Sequence, residues 1–152
     1  MPEFLRPDAV VPNLRVTSKK QALYELAKRA ADVTRENERT ILDVLLERER
    51  LGTTGVGRGI AIPHGRLPSL DRVYGVFARL DRPVDFDAID DQPVDLVFLL
   101  LAPSQAGADH LKALAKVSRL LRDESLCAKL RGCETADGIY ALVANTAAMT
   151  AA

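Results

Sequence analysis

The stretch Val94-Asp95-Leu96-Val97-Phe98-Leu99-Leu100-Leu101-Ala102 is apolar at every position but one. A strand of that composition has no polar face to give to water, so both of its faces must be covered. It therefore calls for a sheet with helices above and below. Pro103 ends the run. The rest of the chain supplies the covering helices. Ala22, Leu23, Leu26, Ala27 and Ala30 recur at helical spacing behind a candidate N-cap at Thr17 or Ser18. Ile41, Leu42, Val44, Leu45 and Leu46 form a second apolar face. Thr34 is its expected cap, Glu36 and Glu38 its first turn, Arg48 and Arg50 its last, and Gly52 its stop. A third helix, capped by Ser104 or Asp109, carries His110, Leu114, Val117 and Leu121 on one stripe, beside Leu111 and Ser118. Asp123 starts a short helix with Leu126 and Leu130, and Thr135 a last one with Ile139, Tyr140, Leu142 and Val143.

Two more strands complete the pattern. Val10 to Val16 reads as an edge strand, because Pro12 removes a ladder donor that only an edge can spare. Arg72 to Leu80 is a second strand, and the proline- and aspartate-rich residues 81–93 form turns. The aspartates from Asp85 to Asp95 lack the spacing and glycine of a calcium loop and read as a capped polar turn. The expectation is one α/β (α+β) domain over residues 1–152, a three-layer α/β/α sandwich. Its lead-in (about residues 1–7) and tail (about 146–152) are expected to be frayed.

Charge and cysteine content narrow the function. Twenty-one basic residues balance 21 acidic ones, where a nucleic-acid binder usually shows a basic excess. No apolar run approaches the roughly 20 residues of a membrane span, and no leader pattern opens the chain. A cytoplasmic protein with no membrane insertion is expected. Cys127 and Cys133 are expected to be free thiols, with no metal site and no cofactor.

The chemistry is concentrated in Gly55-Val56-Gly57-Arg58-Gly59-Ile60-Ala61-Ile62-Pro63-His64-Gly65-Arg66. It lacks the spacing of a dinucleotide fingerprint, and no lysine follows a glycine at P-loop spacing. A short strand ending at Pro63 would leave His64 at its tip. Imidazole is nucleophilic near neutral pH and can form a covalent intermediate. Thr53 and Thr54, the glycine N–H groups and Arg48, Arg58 and Arg66 are the donors a phosphoryl group needs. On spacing alone the stretch fits a plain hairpin tip equally well. His110, near the start of a helix, fits a satisfied histidine at the edge of an apolar stripe.

Arg48-Glu49-x-x-Gly52-Thr53-Thr54-Gly55-Val56-Gly57-x-Gly59-Ile60-Ala61-Ile62-Pro63-His64-Gly65 resembles the signature of mannitol/fructose-type (type-2) enzyme IIA of the phosphoenolpyruvate-dependent phosphotransferase system. The closest resemblance is to the nitrogen-regulatory branch. Residues Pro83 to Leu96, Leu100 to Pro103, Asp109-His110-Leu111 with Leu114 and Ala115, and Arg119 to Arg122 are similar to the same branch. Thr53 stands where that branch commonly has serine.

The resemblance implies a mixed central sheet between helices. It implies a phosphotransferase component that accepts a phosphoryl group on His64 from a phosphohistidine HPr-like carrier. His110 is then the second histidine of the site, Arg48 its arginine and Thr54 its hydroxyl. Thr53, Gly55, Gly57 and Gly59 would form the loop around the phosphoryl group, with no metal. Regulatory targets of the branch include potassium transport, a sensor kinase or a stringent-response enzyme, and the expected state is a monomer or weak dimer. The alternatives are a sugar-specific IIA that passes phosphate to a IIB component and a non-enzymatic protein-binding module of the same fold. The absence of an attached IIB or IIC domain points to the regulatory role.

Overall fold

In the computed structural model, which describes residues 4–105 and 107–151, the doubly buried strand is the centre of the sheet. The strands are β1 (Leu5–Leu14), β2 (Gly55–Gly57), β3 (Ile60–Ala61), β4 (His64–Leu67), β5 (Tyr74–Val84) and β6 (Val94–Pro103). The helices are α1 (Lys19–Thr34), α2 (Glu38–Arg50), α3 (Gly107–Leu121), α4 (Glu124–Arg131) and α5 (Ala136–Ala151). The sheet runs β1-β5-β6-β3-β2, and β4 also pairs with β6. It is mixed: β6 is antiparallel to β5 and parallel to β3 and β4, and β1 is parallel to β5. Leu96 through Ala102 are no more than 1% exposed, so the long apolar run forms the middle of the core. Helices α1 and α2 pack on each other and on β5 and β4. Helix α3 packs on β6 and α5 on β1, with α4 joining α3 and α5. None of the described helices is long and apolar enough to cross a membrane.

Local chemistry accounts for the helix starts. Ser18 and Asp123 cap α1 and α4 by accepting from the backbone N–H of Gln21 and Leu126. The start of α2 differs from expectation. Thr34 is the last residue of α1, its hydroxyl bonded back to the Ala30 carbonyl, because the apolar face of α1 continues through Val33. Asn37 is the cap of α2 and accepts from Thr40 N–H, so Glu36 lies outside the helix. Asp109 lies inside the first turn of α3 and is not its cap.

Both ends of the chain are more ordered than expected. Strand β1 begins at Leu5, which is fully buried against the core, so residues 5–7 of the expected lead-in belong to the sheet; residues 1–3 lie outside the described residues. The expected frayed tail continues α5 to Ala151, since an alanine-rich segment favours helix, and residue 152 lies outside the described residues. Strand β5 likewise runs on to Val84, through residues expected to be a turn.

The two strands beside β6 position the functional residues. Strand β3 pairs Ile60 and Ala61 with Leu96 and Val97, and β4 pairs His64 through Leu67 with Leu100 through Pro103. Pro63 lies between them, and its carbonyl accepts from Leu100 N–H, so the ladder continues across the missing proline donor. His64 therefore starts a strand and does not end one. Gly65 lets α2 approach: a Cβ there would sit 2.3 Å from Val44 Cγ1. No side chain fits at that position, which keeps α2, and Arg48 on it, against His64.

Candidate functional site

His64 is half-buried where β4, α2 and α3 meet. Its Nδ1 lies 2.9 Å from the Ile62 carbonyl oxygen. A carbonyl only accepts, so Nδ1 carries the proton and Nε2 keeps its lone pair. Arg48 Nε–H donates to that Nε2 at 3.3 Å, and Arg48 Nη1 donates to the Gly52 carbonyl at 2.9 Å. The arginine is thus anchored at the end of its own helix with one donor on the nucleophilic nitrogen.

His110 comes from the first turns of α3 and is 4% exposed. Its ring meets that of His64 edge to face, with centroids 5.5 Å apart and an interplanar angle of 68°. Arg66 Nε–H donates to His110 Nδ1 at 3.1 Å, and His110 Nε2 is buried without a hydrogen-bond partner. The sequence contains two histidines, 46 positions apart by their numbers 64 and 110, and the fold brings them into contact.

Both imidazoles are held below the ordinary histidine range. For His64 burial is the largest cause, and the cations Arg48 and Arg66 add to it against the Ile62 bond and Glu49. For His110 burial again comes first, followed by His64 and Arg66. Neutral rings are therefore favoured in the folded state. The unfolded chain takes up protons as pH falls through about 6.5, while the folded protein resists until lower pH. Stability is thus fully present above that value and is lost progressively below it. The thermal midpoint should drop between about pH 7.5 and about pH 5.5. Replacing both histidines by glutamine should flatten that drop, and an unchanged slope would contradict the linkage.

Thr54 is buried, but its hydroxyl does not point freely at His64. The hydroxyl donates to the Glu49 carboxylate, and the Thr54 N–H donates to the same group at 2.9 Å. Glu49 is in turn paired with Lys19 Nζ at 2.8 Å. The Thr54 carbonyl accepts from Ile62 N–H at 3.0 Å. Thr54 thus holds the strand that carries the His64 acceptor carbonyl. Thr53 Oγ1 donates to the Phe86 carbonyl at 2.6 Å and accepts from Gly55 N–H at 3.0 Å, so both of those loop groups are satisfied internally.

Gly57 and Gly59 are not brought to His64. They flank the tip of the β2–β3 hairpin, where Arg58 and Gly59 both have positive φ, the requirement of a tight type I′ turn. The hairpin tip pairs at Leu96 of β6 and His64 at Leu100, a separation of roughly 13 Å at strand rise. A Cβ on Gly59 would meet Arg131 Nη2 at 2.6 Å and Asp95 Oδ1 at 2.9 Å. The glycine there serves the packing of the hairpin on the Arg131–Asp95 ion pair. Asp90 accepts from the N–H groups of Arg58 and Gln92, which holds its carboxyl below the usual range.

Arg66, expected only as one of the charges around a phosphoryl group, bonds His110, and Glu49 was not among the expected site residues. The signal for Arg66 was its position two residues after His64, which puts both side chains on one face of a strand. The signal for Glu49 was its place beside Arg48, but its partners Lys19 and Thr54 are assembled only by the fold. Among the described residues no cluster of three or more His, Cys, Asp or Glu side chains could hold a metal ion. Cys127 and Cys133 are free thiols, and burial pushes the Cys127 thiol up.

A sequence model of the phosphoenolpyruvate-dependent sugar phosphotransferase system, EIIA 2, matches residues 3–146. The chain is 60% identical over 142 residues to a nitrogen regulatory protein of Bradyrhizobium diazoefficiens, covering 93% of each. It is 40% identical over 129 residues to a fructose-specific EIIA component of Haloferax volcanii, covering 84% of each. Its fold superimposes on the crystal structure of the nitrogen regulatory protein IIA-Ntr from Neisseria meningitidis with a TM-score of 0.88 at 34% identity. That match covers 93% of this chain and 97% of that one.

Proposed function

The chain belongs to the EIIA 2 family of the phosphoenolpyruvate-dependent phosphotransferase system, on its nitrogen-regulatory side, and on that premise we propose that His64 accepts a phosphoryl group from a phosphohistidine carrier. The observation that carries this reading is the pair of contacts on the His64 ring. Nδ1–H is committed to the Ile62 carbonyl, and the Nε2 lone pair faces a guanidinium donor. The Nε2 lone pair attacks phosphorus in line with the bond to the carrier. The phosphorus–nitrogen bond to the carrier imidazole breaks, and its electron pair stays on the carrier nitrogen. No proton has to move at His64, because its proton is already on the other nitrogen.

Such a transfer asks the protein for positioning and for donors around the equatorial oxygens. Arg48 supplies charge and N–H groups there. The unpartnered Nε2 of His110 supplies a further donor for the phosphoryl group. Thr54 acts by holding the strand, and its hydroxyl stays with Glu49. The phosphohistidine adds negative charge at a half-buried position, a change that partner proteins can read. Similarity to nitrogen regulatory proteins supports that regulatory use. We place it in the cytoplasm, with potassium transport, a sensor kinase or a stringent-response enzyme as its candidate targets. A second reading, onward transfer to a sugar-specific IIB component, is favoured by the similarity to the fructose-specific component of Haloferax volcanii.

The test is incubation with an HPr-like carrier charged from phosphoenolpyruvate, followed by mapping of the modified peptide by mass spectrometry. The expected result is an acid-labile phosphoryl group on His64. Absence of label, or label on His110, overturns the reading. Addition of a fructose-type IIB then separates the two uses, since rapid discharge onto it favours the sugar-specific one.

A further inference from the structure

Arg66 lies on β4 two residues beyond His64, and it reaches across to α3. Its Nε–H donates to His110 Nδ1 at 3.1 Å. The space beside its Nη2 is bounded by the start of α3, where a Cβ on Gly107 would come within 3.8 Å. Arginine has donors only and does not lose its proton. Unlike most contacts to a histidine nitrogen, this one leaves no choice of role: Nδ1 accepts, so the proton of the neutral ring is on Nε2. That Nε2–H is buried and unpartnered. An unsatisfied buried donor is costly and calls for an explanation. The ring carrying it stands against His64, with centroids 5.5 Å apart.

We infer that Arg66 is a positioning residue: its bond to His110 Nδ1 locks the tautomer and orientation that reserve the buried Nε2 proton for a phosphoryl oxygen at His64. The inference rests on the proposed phosphoryl transfer. It gives the buried, unpartnered Nε2–H a use, since an anionic phosphoryl oxygen on His64 can accept from it. It also explains why the arginine belongs on β4. One strand carries both the acceptor His64 and the residue that sets the second histidine, so their spacing is fixed by a single pleat. The groups whose charge acts on His110 are His64 and Arg66, both from β4.

The experiment uses the full chain labelled with ¹⁵N at histidine. With two histidines the spectrum is assigned by comparison with His64→Gln. In the wild type, His110 should show well-separated nitrogen shifts, with Nδ1 unprotonated and Nε2 protonated. In Arg66→Met the two shifts should converge as the second tautomer becomes populated. Transfer from the charged carrier should slow about tenfold, below the full value of a preorganised donor because the ring remains. Arg66 is exposed, so the variant should keep its fold, which a backbone amide spectrum checks. Unchanged nitrogen shifts in Arg66→Met overturn the inference. So do converged shifts with an unchanged transfer rate, because the Nε2 proton would then be unused. Failure of the wild type to take up a phosphoryl group counts against the proposed function instead, and the shifts of the unphosphorylated protein are read independently of it.

Discussion

His64→Ala will take up no phosphoryl group from a charged carrier, and Arg48→Met will take it up about 10²- to 10³-fold more slowly than the wild type. The two variants remove different things. Alanine removes the nucleophile, and no second imidazole can replace it. His110 Nδ1 is covered by Arg66 Nε, and His110 Nε2 is buried and carries the proton. Arg48→Met leaves the nucleophile but removes the donor 3.3 Å from its lone pair. That distance is long for a hydrogen bond to nitrogen, so little ground-state stabilisation has to be given up when the lone pair turns to phosphorus. The guanidinium is then already beside the developing charge, held by its second bond to the Gly52 carbonyl. The effect is concentrated in the transition state, and the rate constant within the carrier complex should fall. A timed transfer assay at saturating carrier measures it. An Arg48→Met rate within about threefold of the wild type would remove Arg48 from the charge balance.

What the sequence made legible depended on how local each cause was. The burial of β6 on both faces followed from its own side chains, and the caps at Ser18 and Asp123 from residues three positions on. The cap of α2 was misplaced at Thr34 because Thr34 and Asn37 are both good caps. The choice was made by tertiary burial of Val33, which prolonged α1. His64 was recognisable from its glycine- and arginine-rich surroundings, but the glycines themselves were misassigned. Gly59 is explained by Arg131, on α4, and no local pattern announces that meeting. The hydroxyl of Thr54 was seen as free for a ligand, because its partner Glu49 and the Lys19 that neutralises Glu49 come together only when α1, α2 and the loop before β2 pack. Local pattern singled out His64, and non-local packing decided which neighbours surround it.

That packing makes Glu49→Ala a strongly destabilising substitution outside the apolar core. The Glu49 side chain is 6% exposed and accepts from the Thr54 N–H and hydroxyl while pairing with Lys19. Lys19 Nζ is 20% exposed at its side chain and has two further, weaker contacts, to the Asp87 carboxylate at 3.7 Å and to the Phe86 carbonyl at 3.4 Å. Breaking a buried pair by removing one partner costs roughly 3–5 kcal/mol, and the partial exposure of Lys19 favours the lower end, about 3 kcal/mol. For a chain of this length that lowers the thermal midpoint by about 6–12 °C. Most of the loss comes from the two unsatisfied Thr54 donors and from a Lys19 charge that has lost its nearest partner, so a second substitution should recover part of it. Lys19→Met added to Glu49→Ala removes an ammonium left with only its weaker contacts to Asp87 and the Phe86 carbonyl, and should return about 1 kcal/mol. Calorimetry on the two single variants and the double variant closes this cycle, and strict additivity would show that the pair is not coupled. The effect should also reach His64. The Thr54 carbonyl holds the Ile62 N–H, and the Ile62 carbonyl holds His64 Nδ1–H. A loosened Thr54 therefore frees the bond that keeps the Nε2 lone pair available. Glu49→Ala should slow phosphoryl transfer even at temperatures where it is fully folded, although Glu49 does not touch the reacting atoms.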